Sequence, residues 1–201
     1  MDKVSYALGM SIAQSLAQSG VRTLNVDDFA AAIKASLAGE APALPFDEAG
    51  KVLDEYFGEL QAERAAEEAE IGEAMKKEGE EFLAQNAKAE GVVVLPSGLQ
   101  YKVIKEGNDR FASATDTVRC HYEGRFINGQ IFDSSYKRGV PAEFGVNQVI
   151  KGWTEALQLM GEGAEWELYI PYNLAYGETG AQGAIPPYAA LVFKVEVIKV
   201  L

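Results

Sequence analysis

The hydrophobic period of this chain changes once, at Gly91, and that change limits what the chain can fold into. Before it, large apolar residues recur at steps of three or four. Val4, Leu8, Ile12 and Leu16 repeat every four residues across positions 3–19, which puts them on one face of a helix. After it, apolar residues alternate. Leu99, Tyr101 and Val103 share one side of a strand, as do Val118, Cys120 and Tyr122, then Trp166, Leu168 and Ile170, then Leu191, Phe193, Val195 and Val197. A chain that is helical first and of period two afterwards is an α+β protein with its helices and sheet segregated.

The helical part divides by composition. Gly20 stops the first helix. Asn25 or Asp27 caps a second, with Phe29, Ala32, Ile33, Ser36 and Leu37 on one face, and Gly39 closes it. Two such helices carry more apolar surface than a pair can hide, so a third helix, a second copy of the chain, or both must cover the rest. Residues 1–46 are read as this helical domain. Residues 47–90 contain no proline, with Asp47 as the expected cap. Val52, Leu53, Tyr56, Phe57 and Leu60 give way to Ala, Glu and Lys, with only Ile71 and Met75 as sizeable apolar residues in 61–77. A helix polar on nearly all sides bridges through solvent, and this one would span roughly 65 Å. A partly disordered acidic linker is the alternative. Gly72 and Gly79 predict bending or fraying. Five basic and fourteen acidic side chains in 47–90 account for most of the net charge of −12; this run is read as a solvated helix face.

Residues 91–201 form the third zone. Strands are expected at 99–105, 117–124, 130–133, 143–146, 165–171 and 191–201, with Asn128-Gly129 as a hairpin turn. One helix, 148–160, interrupts them. Its Ile150, Trp153, Leu157 and Met160 fall on one face, which can be buried only against the sheet. Val149, Ile150 and Trp153 at its first turn are expected to floor a pocket.

Composition removes several functions. No basic patch exists, which excludes nucleic-acid binding. The one cysteine, Cys120, allows no disulfide framework or thiolate cluster and is expected to be buried. The one histidine, His121, alternates away from the core, so histidine-based triads and Cys–His dyads lack their parts. No zinc spacing and no phosphate-cradling loop is present, and no cofactor or metal is expected. No apolar run reaches membrane-spanning length, and the N-terminus does not read as a signal peptide. A cytoplasmic location is expected, or a periplasmic one if a leader has been removed. What remains is a set of aromatic and aliphatic residues with one acid, Asp133, among them.

The order of these pieces is specific. Val118-Arg-Cys-His-Tyr122-Glu-Gly is followed by Phe132-Asp133-Ser-Ser, Val149-Ile150-Lys-Gly-Trp153, Ala175-Tyr176-Gly177, Ile185-Pro-Pro and Leu191-Val-Phe193. Together they resemble the FK506-binding protein (FKBP) family of peptidyl-prolyl cis–trans isomerases. The N-terminal helices and the Leu-Pro-Ser-Gly-Leu-Gln-Tyr101 run resemble its Mip-like, FklB-type dimeric bacterial branch. The resemblance implies a C-terminal antiparallel half-barrel around one short helix, preceded by an all-α N-terminal dimerisation domain with a long connecting helix. It implies a V-shaped homodimer with swapped N-terminal helices.

The resemblance also implies the site. Asp133, Tyr176 and the N–H of Ile150 match the catalytic positions. Tyr122, Phe132, Phe144, Val149, Trp153, Ile185 and Phe193 match the substrate-binding ones, and Arg138 matches a basic partner of the acid. Proline-containing peptides and unfolded proteins are the implied substrates. Macrolides such as FK506 or rapamycin are implied ligands, although Ala142 stands where single-domain members carry an aromatic, and Ala181 and Ala184 replace bulkier loop residues. A chaperone activity of the dimeric cleft is the second implied function.

Overall fold

A computed structural model describes residues 1–181 and 183–201. The chain divides into two compact units, Met1–Ala66 and Glu67–Leu201. The division falls inside one helix.

In the first unit, α1 (Lys3–Gln18) begins with Asp2 accepting the Ser5 N–H at 2.7 Å, and its C-cap Ser19 leads into Gly20 at φ +88°. Helix α2 (Val26–Ala38) is capped by Asn25, which accepts the N–H groups of Asp27 and Asp28 at 3.0 and 3.2 Å; Gly39 closes it at φ 69°. Asp27 therefore sits in the first turn instead of capping it. The same holds for Asp47. Helix α3 (Phe46–Asn86) starts two residues earlier than a cap at Asp47 implies, with the Ala49 N–H on the Pro45 carbonyl at 2.9 Å. Asp47 and Glu48 occupy the first turn, where the positive end of the helix dipole favours them. The apolar stripe of α1 is left exposed: Val4, Leu8 and Ile12 are 68%, 61% and 40% accessible.

The segment is no disordered linker and does not fray at Gly72 or Gly79: α3 runs unbroken for 41 residues. These two glycines are its only buried residues. A Cβ on Gly79 would lie 2.9 Å from the Ala190 Cβ, and one on Gly72 would lie 3.0 Å from the Tyr188 ring. They are contact points, not weak points. The half-buried Met75, Phe82, Leu83 and Asn86 continue the same stripe. Gln100 fastens it by donating to the Leu83 carbonyl at 2.9 Å and accepting from the Asn86 amide at 2.9 Å. From Gly72 onward the helix thus packs within the sheet-containing unit, whereas residues 61–71 are exposed on every side. Alanine and glutamate dominate the composition there, but three small or apolar residues per two turns suffice for a docking stripe.

Among the described residues, seven strands build one antiparallel sheet: β1 (Val92–Val94), β2 (Gln100–Lys105), β3 (Thr117–Phe126), β4 (Ile131–Ser134), β5 (Ala142–Gly145), β6 (Glu165–Ile170) and β7 (Leu191–Val200). Their order is β1-β2-β6-β7-β3-β4, and β5 also pairs with β3. The long β3 therefore carries β7 on one edge and both β4 and β5 on the other. Strand β1 was not anticipated because three consecutive valines show no alternation. A short helix α4 (Ser135–Arg138), capped by Ser134 and stopped by Gly139 at φ 72°, was also not anticipated.

Helix α5 (Lys151–Leu157) is shorter than the expected 148–160. Residues Val146–Gln148 form a 3-10 turn, and Val149 is extended. Two adjacent β-branched residues, Val149 and Ile150, disfavour helix at this point. The expected stripe still points inward, with Trp153, Leu157 and Met160 at 4%, 0% and 0% exposure. Close approach to the sheet requires Gly152, where a Cβ would stand 2.6 Å from Ile170 of β6. The sheet curls around this helix and encloses the core, which includes Leu99, Val118, Cys120, Leu168 and Val195.

Candidate active site

The site is an aromatic box built from four strands and the start of α5. Trp153 is its centre. Its ring meets Tyr122 of β3, Phe144 of β5 and Phe193 of β7 edge-on, with centroids at 5.4, 5.6 and 5.4 Å. Phe132 of β4 meets Phe193 at 5.6 Å and an interplanar angle of 85°. Edge-to-face contacts fix such rings more firmly than area alone would. Gly124 makes the Phe132–Phe193 contact possible, because a Cβ there would stand 2.6 Å from both rings. Among the described residues, Tyr122, Phe132, Asp133, Phe144, Gln148, Val149, Ile150, Trp153, Tyr176 and Phe193 line one cavity of about 470 Å³.

Nine of the ten site residues named from the sequence converge on this cavity. Ile185 does not line it. The Ala181 and Ile185 N–H groups each bond to the other's carbonyl at 2.9 Å, and this turn sends the Ile185 side chain into the core at 6% exposure. Gln148 is the addition. Its signal is weak: one polar residue in a short turn between the buried Val146 and the half-buried Val149.

One wall is ionic. Asp133 accepts from the Tyr122 hydroxyl and from Arg138, whose Nη2 also donates to the Tyr122 hydroxyl at 2.8 Å. Helix α4 makes this possible by carrying Arg138 one turn beyond Asp133. Partial burial pushes the Asp133 carboxyl up, but the Tyr122 and Arg138 hydrogen bonds and the guanidinium charge outweigh it and hold it below the usual 3.8. Burial, and then the hydrogen bond to Asp133, push the Tyr122 hydroxyl the other way. The acid is therefore an anion at neutral pH and the two tyrosines, Tyr122 and Tyr176, are neutral donors.

Two N–H groups of the site face no acceptor among the described residues. The Trp153 indole nitrogen is buried without a partner. Ile150 is the N-cap of α5, its carbonyl accepts from Trp153 and Thr154, and its own N–H has no partner. Nothing in the box is a nucleophile. Cys120 is fully buried, and its thiol is pushed up to about 12 by burial. His121 stacks on Tyr136 at 4.7 Å and pairs with the Ser135 hydroxyl at 2.9 Å, a structural role outside the cavity.

An antiparallel sheet curled on one short helix thus presents an open apolar cavity with one anion and uncommitted donors at its walls. Comparison with known proteins names the class. Residues 108–198 match the FKBP-type peptidyl-prolyl cis-trans isomerase domain, and residues 1–103 match the domain amino terminal to FKBP-type peptidyl-prolyl isomerase. The chain is 45% identical to the FKBP-type 22 kDa peptidyl-prolyl cis-trans isomerase of Escherichia coli, over 99% of this chain and 95% of that one. It is 41% identical to the outer membrane protein MIP of Legionella longbeachae, over 99% and 85%. The crystal structure of FkpA from Escherichia coli superposes with a TM-score of 0.76 at 33% identity, covering 98% of this chain and 95% of that one. The chain belongs to the FKBP-type peptidyl-prolyl cis–trans isomerase family.

Proposed function

We propose that this isomerase turns X–Pro bonds inside the aromatic cavity, without covalent chemistry. The observation that supports the reading is the convergence of nine sequence-identified residues on one hollow of about 470 Å³. Peptide rotation has a barrier of about 18–20 kcal/mol, and X–Pro bonds flip unaided in tens to hundreds of seconds. No bond breaks, so no nucleophile is required. The planar amide is polar through resonance, and the twisted transition state has lost that polarity. A dry box of Trp153, Phe132 and Phe193 binds the twisted form better than the planar one, and that difference is the catalysis. The Ile150 N–H and the Tyr176 hydroxyl hold substrate carbonyls. Asp133, ionised and fixed by Tyr122 and Arg138, supplies a negative field beside the rotating carbonyl.

The test is a cis–trans assay on short X–Pro peptides. Asp133→Ala combined with Tyr176→Phe should lower kcat/KM roughly 100-fold. Wild-type rates in that variant would end the reading. Titration with FK506 or rapamycin gives a second test: occupancy of the same cavity should quench Trp153 fluorescence and block turnover.

A homodimer through α1 and α2, and a holding role for unfolded proteins, form the second part of the proposal. It rests on the first unit, where Val4, Leu8, Met10 and Leu37 are all more than 60% exposed. If residues 67–201 suppress aggregation of an unfolded protein as well as the full chain does, the holding role does not belong to the first unit. The cytoplasmic location is also a proposal. Among the described residues no helix is long and apolar enough to cross a membrane, and fractionation of expressing cells decides the compartment.

A further inference from the structure

Tyr188 is the one described residue other than glycine with a positive φ, at 56°. A bulky side chain rarely occupies that region, and it persists there only where the surroundings over-determine it. Its contacts do so here, and its side chain also bonds Glu178, the residue after Gly177. Its N–H donates to the Gly177 carbonyl at 3.1 Å. Its ring meets Tyr172 edge-on at 5.1 Å. The same ring rests on Gly72 of α3, where a Cβ would come within 3.0 Å, and the Lys76 ammonium lies 5.8 Å from its centroid.

These contacts converge on the two neighbours of Tyr176. The Tyr172 carbonyl accepts both the Ala175 N–H at 3.0 Å and the Gly177 N–H at 2.8 Å. Tyr172 therefore grips the chain on each side of Tyr176, and Tyr188 grips it again through the Gly177 carbonyl. Tyr176 itself is 39% exposed, so packing around its own ring covers it only in part. Its position is set by its flanking backbone, and that backbone is anchored on α3.

We propose that Tyr188, seated on Gly72, is a positioning residue for catalysis: the C-terminal part of α3 holds the Tyr172–Tyr188 pair, and the pair holds Tyr176 over the cavity. Gly72 is then selected for the approach it permits, since a larger residue there would lift the Tyr188 ring. The inference rests on the role given to Tyr176 above. A misplacement of about 1 Å at a group that holds substrate lowers the rate by one to two orders of magnitude.

The experiment uses the full chain and four variants, each checked for an unchanged far-ultraviolet spectrum and cooperative melting. Gly72→Leu displaces the ring. Tyr188→Asn removes the ring while tolerating the positive φ. Each should lower kcat/KM roughly tenfold, mostly in kcat, and the double variant should lose no more than the worse single one, because both break one contact. Tyr188→Phe keeps the ring and should restore wild-type kcat. The backbone amides of Tyr176 and Gly177 should shift in the nuclear magnetic resonance spectrum of Gly72→Leu, while those of Asp133 and Phe144 on the opposite wall stay. Unmoved Tyr176 and Gly177 amides, or additive losses in the double variant, overturn the proposal. Tyr176→Phe is assayed in parallel. If it is impaired and Gly72→Leu is not, the positioning idea fails alone. If it is fully active, the role of Tyr176 fails, and the amide shifts still decide whether α3 places it.

Discussion

In Met1–Ala66 the only buried residue is a glycine, Gly20, whereas Glu67–Leu201 encloses tryptophan, leucine, methionine and phenylalanine side chains at a few per cent exposure or less. Both stretches are rich in apolar residues. The difference lies in what each can cover by itself. A sheet curled on a helix hides two layers of side chains from one another. Two short helices and half of a long one have no second layer, so Leu8, Ile12, Leu53 and Phe57 remain accessible. The comparison teaches that apolar content alone does not make a core; a chain needs enough surface of complementary shape to close over it. The second unit meets that need internally. The first requires another surface, which is the basis for proposing a second copy.

The sharpest way to break this contrast is to place charge on the uncovered stripe. Leu8→Asp with Ile12→Asp should convert the full chain to a monomer in sedimentation, because each uncompensated charge buried at an interface costs about 3–5 kcal/mol. Activity on short X–Pro peptides should stay near wild type. A dimer that survives both charges would show that the stripe is not the interface.

The next largest effect concerns the boundary between the two regions. Residues 67–201 should melt as one cooperative unit. Starting instead at 91 removes Met75, Phe82 and Leu83 from the sheet and unpairs Gln100, which should lower stability by about 3 kcal/mol in urea unfolding. Equal stability of the two fragments would mean that the end of α3 contributes nothing.

Within the closed unit, Gly152→Val should cost about 2 kcal/mol, since the added atoms meet Ile170 and the interior cannot yield. A substitution to valine at Gly9 of α1, where a Cβ would meet nothing within 4 Å, should be far milder. Similar losses at the two positions would erase the distinction between a packed and an open unit.

The smallest expected effect is electrostatic. The folded-state carboxyl of Asp133 is held below its ordinary value, so its contribution is present above 3.8 and is lost as pH falls through the lowered folded value. Turnover should be flat from neutrality down to about pH 5 on this account. Arg138→Leu removes a hydrogen bond and a charge that lower it, so the Asp133 carboxyl should titrate at higher pH when followed by carbon-13 resonances. Stability should change little, because the Asp133 side chain is 40% exposed. An Asp133 titration unchanged in that variant would remove Arg138 from the site.

Much of this was legible in the chain itself. The switch of period at Gly91, the inward alternation of Val118, Cys120 and Tyr122, and the Trp153, Leu157, Met160 stripe all follow from side-chain direction, which backbone geometry dictates locally. The ordered run of short motifs from Tyr122 to Phe193 points to the family and holds eight of the residues that meet in the cavity; the resemblance adds Phe144. Tertiary structure decided the rest, because it depends on what lies opposite. Gly72 and Gly79 read as weaknesses in a helix until Tyr188 and Ala190 are seen against them. Ile185 reads as a pocket residue until the Ala181 bridge turns it inward. The Tyr122 hydroxyl joins Asp133 and Arg138 only because β3 lies beside β4 in the sheet. Local sequence determines which way a side chain points; only the folded chain determines what it meets there.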